Sequence, residues 1–369
     1  MLYIKQLKTL RGEIGVKIEP KNLKELIERN YVTIAKLPEE NQINLDELDN
    51  LEGYTLLLIT HDYGAKTPIM WNTLYRKLGL NIRNITLVAD PKKNAEIIIN
   101  ALKSDPKYFG GGLGVGWKEK KDLVDEIFPP DLASINLVVK DKKKLIGYNT
   151  DAPGFVRSLK EKFVEIGKKI EGSKIIIFGA GGVAKQVSRL LAEKNPNKII
   201  ILNRTYEKAI SIANELNDKY KQIAVAGGES EIKNYLLNPI SKPDAAINLT
   251  DKGSDGKLEG FSAFAKADCN SEKEVRRNNN QARAISRELR KLNPEIIIAD
   301  IVLPKNPPPK TLAIARNEGL KNLVDGLGMV VYQAAPAYIK VQEANQEKHK
   351  TKVSEQEALE VFKQTVGIK

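Results

Sequence analysis

Short apolar runs of strand length, separated by stretches with helical spacing, recur along most of the chain. Thr55-Leu-Leu-Leu-Ile-Thr60 predicts a strand and Pro68–Leu80 a helix; Ile85–Ala89 and Lys93–Leu102 predict another strand and helix. Ile135–Val139 and Lys144–Tyr148 flank a charged turn and predict a hairpin-like pair. Phe155–Ile166 then reads as a helix with Asp151 as its N-cap. Lys174–Phe178, Lys198–Leu202, Asp244–Asn248 and Glu295–Asp300 predict later strands, and Lys321–Asp325 a last short one. A helix opens at Gly326, and a mixed-charge helix near Gln356–Thr365 closes the chain. Strands alternating with helices imply a parallel, doubly wound α/β sheet. Residues 1–50 are rich in Lys, Glu and Leu, with helical period around Asn22–Asn30 and no identifiable chemistry.

Glycine breaks this pattern in two places. Lys107–Gly116 carries Gly110, Gly111, Gly112, Gly114 and Gly116, which predicts a flexible loop or backbone packed against a ligand, and both stay open. Gly179-Ala-Gly-Gly-Val-Ala184 falls directly between the strand Lys174–Phe178 and a run whose apolar positions Val183, Val187, Leu190 and Leu191 share one helical face. That order is a βαβ unit with a dinucleotide fingerprint. Gly179 allows the turn, Gly181 lets backbone approach a pyrophosphate, and Ala184 lets helix and sheet pack closely, with Gly182 and Val183 opening the helix. Its N-terminus offers free N–H groups and a positive dipole end.

The end of the second strand then selects the cofactor. An Asp or Glu there would accept from a ribose 2′-OH; this chain has Asn203-Arg204-Thr205, with Lys208 one turn on. A guanidinium, a hydroxyl and an ammonium suit a 2′-phosphate, so the residues predict NADP.

Composition narrows the class. The chain of 369 residues is long enough for two domains, and its 41% hydrophobic content is that of a globular protein. Apolar runs of about five or six residues fall far short of a membrane span. No apolar stretch follows the Met1-Leu-Tyr-Ile-Lys-Gln start, so no signal peptide is expected. A single cysteine, Cys269, excludes an internal disulfide and fits a cytoplasmic location; with only two His, no metal site is expected. The net charge of +12 invites a nucleic-acid reading, but the lysines are interleaved with acids and no aromatic–basic stripe appears. The charge reads instead as attraction for anionic small molecules. The run holding Arg276, Arg277, Arg283, Arg287 and Arg290 reads as a solvated amphipathic helix.

Three separated motifs converge on one resemblance. Gly147-Tyr-Asn-Thr-Asp151 with Gly154-Phe155, Asn203-Arg-Thr205, and Gly326-Leu-Gly-Met-Val-Val-Tyr-Gln333 resemble, in this order, signatures of shikimate dehydrogenases over roughly residues 55–365. Glutamyl-tRNA reductases share the glycine turn and Asn-Arg-Thr but not the first and third motifs. The resemblance implies two domains: a substrate-binding domain over 1–150, with C-terminal helices from 330–369 packing back on it, and a Rossmann-type NADP domain over 151–329. It implies interconversion of 3-dehydroshikimate and shikimate, a step toward aromatic amino acids, by hydride transfer with a Lys–Asp pair. Asp151 matches the Asp, its alternative being a helix cap only. Thr150, Asn136 and Gln333 match positions that bond substrate hydroxyls, and Gly326 and Met329 match residues at the nicotinamide. An ammonium beside the reacting oxygen stabilises an alkoxide and can give it a proton.

The lysine is ambiguous. The family reads Gly-Phe-Asn-Val-Thr-Ile-Pro-His-Lys-Glu where this chain reads Gly112-Leu-Gly-Val-Gly-Trp-Lys118-Glu-Lys120-Lys121. Matching Lys-Glu selects Lys118; counting without gaps selects Lys120. Other departures touch the substrate. Two family serines before a Pro are Ala65 and Thr67 here, a family Thr before the lysine is Gly116, and a Tyr after the late strand is Leu303. Each unreplaced hydrogen bond would cost roughly 0.5–1.5 kcal/mol, enough together to shift the preferred substrate. The expected ligand is a shikimate-like hydroxylated ring carboxylate, bound by a monomer or homodimer. Quinate or another ring acid is the alternative substrate, and a non-catalytic nucleotide-binding relative the alternative class.

Overall fold

The structure, a computed structural model, describes residues 19–62, 64–114, 116–254, 256–267, 271–303, 308–349 and 351–368. The chain start and Cys269, both used above, lie outside the described residues.

Two sheets organise the molecule. The first comprises β1 (Thr33–Ile34), β2 (Gly53–Ile59), β3 (Ile82–Val88), β4 (Tyr108–Leu113), β5 (Glu126–Ile127), β6 (Leu137–Asp141) and β7 (Lys144–Tyr148), in the order β1-β3-β2-β4-β6-β7-β5. β2 runs parallel to β3 and β4, while β6 pairs antiparallel with β4 and β7. This sheet is therefore mixed. The hairpin forms as the pattern predicts.

The second sheet comprises β8 (Lys174–Phe178), β9 (Lys198–Asn203), β10 (Ala224–Gly228), β11 (Ala245–Asn248), β12 (Ile297–Asp300) and β13 (Leu323–Val324), in the order β10-β9-β8-β11-β12-β13. Every pairing in it is parallel. The strand order reverses between β8 and β11, the switch point where doubly wound sheets open a crevice at their carboxyl ends. Both faces are covered. Helices Asp151–Glu165 and Gly182–Ala192 pack Phe155, Leu159, Val187 and Leu191 on one face; Phe264, Ala282, Ile285 and Leu289 cover the other.

The polar excursion supplies that second cover. Helix Glu272–Leu292 buries Asn278, Ala282, Ile285 and Leu289 and turns its arginines outward, as a solvated amphipathic helix should. Arg287 pairs with Glu318 at 2.7 Å. The last two helices, Gly326–Ala344 and Glu355–Val366, return to the first sheet. Val331, Tyr338 and Phe362 pack with Met70, Trp71 and Tyr75 of helix Thr67–Lys77. No helix among the described residues is long and apolar enough to cross a membrane.

Two expectations need correction. The glycine-dense run is neither a flexible loop nor a ligand cradle over its core: Tyr108–Leu113 is a central strand. Gly111 has φ +147° and lies so close to β2 that a Cβ would sit 1.9 Å from the Leu56 carbonyl oxygen. A neighbouring strand, not a ligand, requires glycine there. Asp151 is not the N-cap of its helix. Thr150 holds that place, the helix begins at Asp151, four residues before the expected Phe155, and the Asp151 carboxylate is used elsewhere.

Candidate active site

The Asp151 carboxylate is drawn off the helix end by stronger partners. Its Oδ2 accepts from Lys118 Nζ at 2.5 Å and its Oδ1 from the Asn136 side-chain amide at 2.8 Å. Both are hydrogen bonds to a charged group, the strong kind. The Asp151 side chain is 8% exposed and that of Lys118 28%, so one member is buried and the other is partly exposed. Lys120 is not brought to the pair: it precedes the short 3-10 turn Lys121–Leu123, with its backbone N–H on the Trp117 carbonyl.

Asn136 is pinned in one orientation. Its Oδ1 accepts from the Thr150 backbone N–H at 2.7 Å, which leaves the amide nitrogen facing Asp151, Thr150 Oγ1 at 3.0 Å and Gln333 Oε1 at 3.3 Å. Thr150 Oγ1 lies 3.1 Å from Gln333 Oε1, and the Gln333 amide nitrogen donates to the Val330 carbonyl at 3.0 Å and reaches Thr67 Oγ1 at 3.4 Å. Asn136, Thr150 and Gln333 are buried, and Thr67 is half-buried. Thus Thr67, Lys118, Asn136, Thr150, Asp151 and Gln333, drawn from widely separated stretches of chain, form one hydrogen-bonded cluster. Close helix packing makes this possible: a Cβ on Gly154 would stand 2.8 Å from the Gln333 backbone nitrogen.

The departures from the family pattern are built into the packing. Ala65 is buried in an apolar cluster with Leu57 and Ile59. Gly116 has φ +83°, and a Cβ there would lie 2.5 Å from the Thr60 methyl. Leu303 is half-buried among the apolar residues that include Met329.

At the switch point of the second sheet the glycine turn has the shape a dinucleotide needs. Gly179 has φ +112°, and a Cβ would fall 2.8 Å from the Leu249 carbonyl oxygen after β11, so only glycine fits. A Cβ on Gly181 would meet nothing within 4 Å, leaving open space over the N-terminus of helix Gly182–Ala192. Val183 and Ala184 turn toward the core, Ala184 fully buried. At the end of β9 the Asn203 amide closes onto the Thr205 carbonyl at 2.7 Å, and Arg204, Thr205 and Lys208 are exposed together. This open turn, helix N-terminus and cationic end fit the pyrophosphate and 2′-phosphate of NADP.

The two sites are joined by packing. A Cβ on Gly182 would lie 3.4 Å from Ala133 Cβ, and Arg189, two turns down the same helix, pairs with Asp131 at 2.6 Å. Gly326 touches the backbone after β12, a Cβ there lying 2.4 Å from the Ile301 carbonyl oxygen, and Met329 bridges the two cores.

Sequence reasoning missed Asn149 and Asp300. Asn149 donates to the Ser134 carbonyl at 3.1 Å and accepts from the Ala152 N–H at 3.3 Å, doing the capping assigned to Asp151. Asp300 is a buried acid whose signal was a polar residue ending an otherwise apolar strand.

This architecture defines a two-domain α/β protein of the dinucleotide-binding, doubly wound class. The sequence profile of the shikimate/quinate 5-dehydrogenases matches residues 160–236. The chain is 31% identical over 299 residues to the NADP(+) shikimate dehydrogenase of Alkaliphilus metalliredigens, covering 78% of this chain and 92% of that protein. It is 30% identical over 278 residues to that of Halothermothrix orenii, covering 74% and 85%. Among solved structures, the fold resembles Listeria monocytogenes shikimate 5-dehydrogenase in complex with shikimate and NAD, with TM-score 0.62, 22% identity, and coverage of 85% of this chain and 96% of that one. It also resembles the 5-ketofructose reductase of a Gluconobacter strain, with TM-score 0.57, 24% identity, and coverage of 85% and 98%. The chain belongs to the shikimate dehydrogenase family.

Proposed function

We propose that this protein is an NADP-dependent oxidoreductase that interconverts 3-dehydroshikimate and shikimate. The observation that carries the reading is the Lys118–Asp151 pair, 2.5 Å apart, set in a cluster of hydroxyl and amide groups beside a dinucleotide-shaped turn. The first sheet with the returning C-terminal helices is the substrate-binding domain, and residues 151–329 are the NADP domain. Gly179, Gly181 and Gly182 with the helix N-terminus hold the pyrophosphate, and Arg204, Thr205 and Lys208 hold the 2′-phosphate. Gly326 and Met329 border the nicotinamide, which when bound supplies or accepts the hydride.

The protein's own part is proton handling and orientation. In reduction, charge grows on the ring oxygen, and the Lys118 ammonium beside it stabilises that charge and gives up a proton. In oxidation it takes the hydroxyl proton. Asp151 fixes the ammonium's place, and Asn136, holding Asp151 Oδ1, stops the carboxylate from rotating away. The hydroxyl of Thr150 and the amide of Gln333 orient ring hydroxyls, and Thr67 faces the carboxylate end. The protein acts in the cytoplasm, as a monomer or homodimer.

A second substrate is favoured by one observation. The packing at Ala65 and Gly116 leaves those two positions without the hydroxyls of the family pattern, which points toward quinate or another ring acid. The test is NADPH formation by purified protein from shikimate or quinate, each with NADP+ and NAD+. Turnover of shikimate with NADP+ supports the first reading, and turnover of quinate in its place supports the second. NADPH binding without turnover of either acid overturns both in favour of a nucleotide-binding relative.

A further inference from the structure

Strand β12 ends on an acid for which the proposed reaction has no use. Asp300 is fully buried, and its Oδ1 accepts from the Asn248 side-chain amide at 3.0 Å and from the Val302 backbone N–H at 3.0 Å. Asn248 is the residue opposite it at the end of β11. The Asn248 amide nitrogen also donates to the Lys252 carbonyl at 3.0 Å, and its oxygen accepts from the Thr250 N–H at 3.0 Å and hydroxyl at 2.6 Å. One buried Asp–Asn pair therefore fixes the backbone of two loops, 249–253 and 301–303.

Both loops press on glycines of the cofactor site. The Leu249 carbonyl stands 2.8 Å from where a Gly179 Cβ would be, at the pyrophosphate turn. The Ile301 and Val302 carbonyls stand 2.4 and 2.8 Å from where a Gly326 Cβ would be, at the nicotinamide end. With clearances this small, slack in the Asp300–Asn248 pair passes directly into the walls of the site.

We propose that Asp300 is a positioning residue of the cofactor site, holding the pyrophosphate turn and the nicotinamide end in register through Asn248 and Val302. The inference rests on the reading that this site binds NADP(H).

Its chemistry gives a handle for testing. Burial pushes the Asp300 carboxyl up to about 7, with the Val302, Asn248 and Thr311 hydrogen bonds offsetting only part of that, and the Asp325 carboxylate beyond β13 pushes it further the same way. The charged groups on the loop 249–253 and on the helix carrying Thr311 are Asp251, which is exposed, Lys252, held by Glu229 at 2.6 Å and the Ala265 carbonyl, Lys310, which begins the helix, and Arg316, exposed near its end. Below that pH the side chain is a neutral acid that keeps both loops tied. Above it the core beside the site gains a buried negative charge next to Asp325, which disfavours an anionic cofactor, so the protonated form binds NADPH more tightly.

The experiment is NADPH affinity by fluorescence between pH 6 and 8.5, for the wild type and Asp300→Asn. Asparagine keeps an acceptor for both donors but cannot ionise, and titration of the cofactor's own phosphate cancels in the ratio of the two dissociation constants. The ratio of wild type to variant is expected to rise about threefold or more across the range, as linkage to one titrating group requires. Asn248→Ala is expected to weaken NADPH binding about tenfold at pH 6, because it leaves buried partners unpaired. A flat ratio together with an unchanged Asn248→Ala affinity overturns the proposal while leaving NADP binding intact. A wild type that does not bind NADPH overturns the cofactor reading itself, and this proposal with it.

Discussion

At the carboxyl end of β8 the candidate site is made almost wholly of backbone: a glycine turn, a helix N-terminus and the carbonyls that crowd Gly179 and Gly326. Above the first sheet it is made of side chains that bond one another, with Asn136 alone tied to Thr150, Asp151 and Gln333. The first kind of site depends on which positions lack a Cβ and tolerates change elsewhere. The second depends on each side chain's orientation, and losing one leaves several buried partners unpaired. The two positions that depart from the family pattern, Ala65 and Gly116, lie outside that bonded set, packed against Leu57 and Ile59 and against Thr60.

The largest expected effect is on the side-chain site. Lys118→Met should lower kcat by about a hundred- to ten-thousandfold, the usual worth of a placed proton donor, with NADPH affinity unchanged. The backbone site should respond by position instead. Gly181→Ala should leave the melting temperature alone, since its Cβ meets no protein atom within 4 Å at φ −85°, but weaken NADPH binding by blocking the pyrophosphate. Gly179→Ala should lower the melting temperature as well, because φ +112° and the Leu249 carbonyl both oppose a side chain. If the two alanines behave alike, the division between backbone and side-chain sites breaks down.

A smaller change is expected at the rim. Arg204→Glu should cut the preference for NADP+ over NAD+, read from the kcat/KM ratio, by about tenfold or more through loss of a charge-assisted bond and added repulsion. The smallest belongs to the contact between the halves. Asp131→Asn weakens the pair with Arg189 and leaves the Arg189–Glu215 pair in place. A surface interaction of that kind is worth about 1 kcal/mol at most, so NADPH release measured by stopped flow should quicken by no more than about fivefold.

The same contrast decides what could be read in advance. The βαβ unit was legible because a parallel strand buried on both faces reads as an apolar run, and the glycine turn's geometry is local in sequence. Asn203-Arg204-Thr205 was legible for the same reason. The run Tyr108–Leu113 was not, because the need for glycine at position 111 comes from Leu56 on a neighbouring strand. Asp151 was read as a possible cap because the residues that claim its carboxylate, Lys118 and Asn136, lie 33 and 15 positions away. Lys118 and Lys120 could not be separated by spacing; the turn over Trp117–Lys120 is a three-dimensional feature, and within it the ammonium of Lys118 is the one bonded to Asp151. Asp300 was passed over as the end of a strand, since nothing local marks the amide of Asn248 as its partner, 52 residues earlier.

The most direct measurement is turnover of shikimate with NADP+ by the wild type and by Asp151→Asn, on preparations whose NADPH affinities are measured in parallel. The account predicts that the wild type turns over and that the variant binds NADPH equally well yet loses about a hundredfold or more in kcat. Equal turnover by the two proteins would contradict it, because the Lys118–Asp151 pair would then play no part in moving the proton.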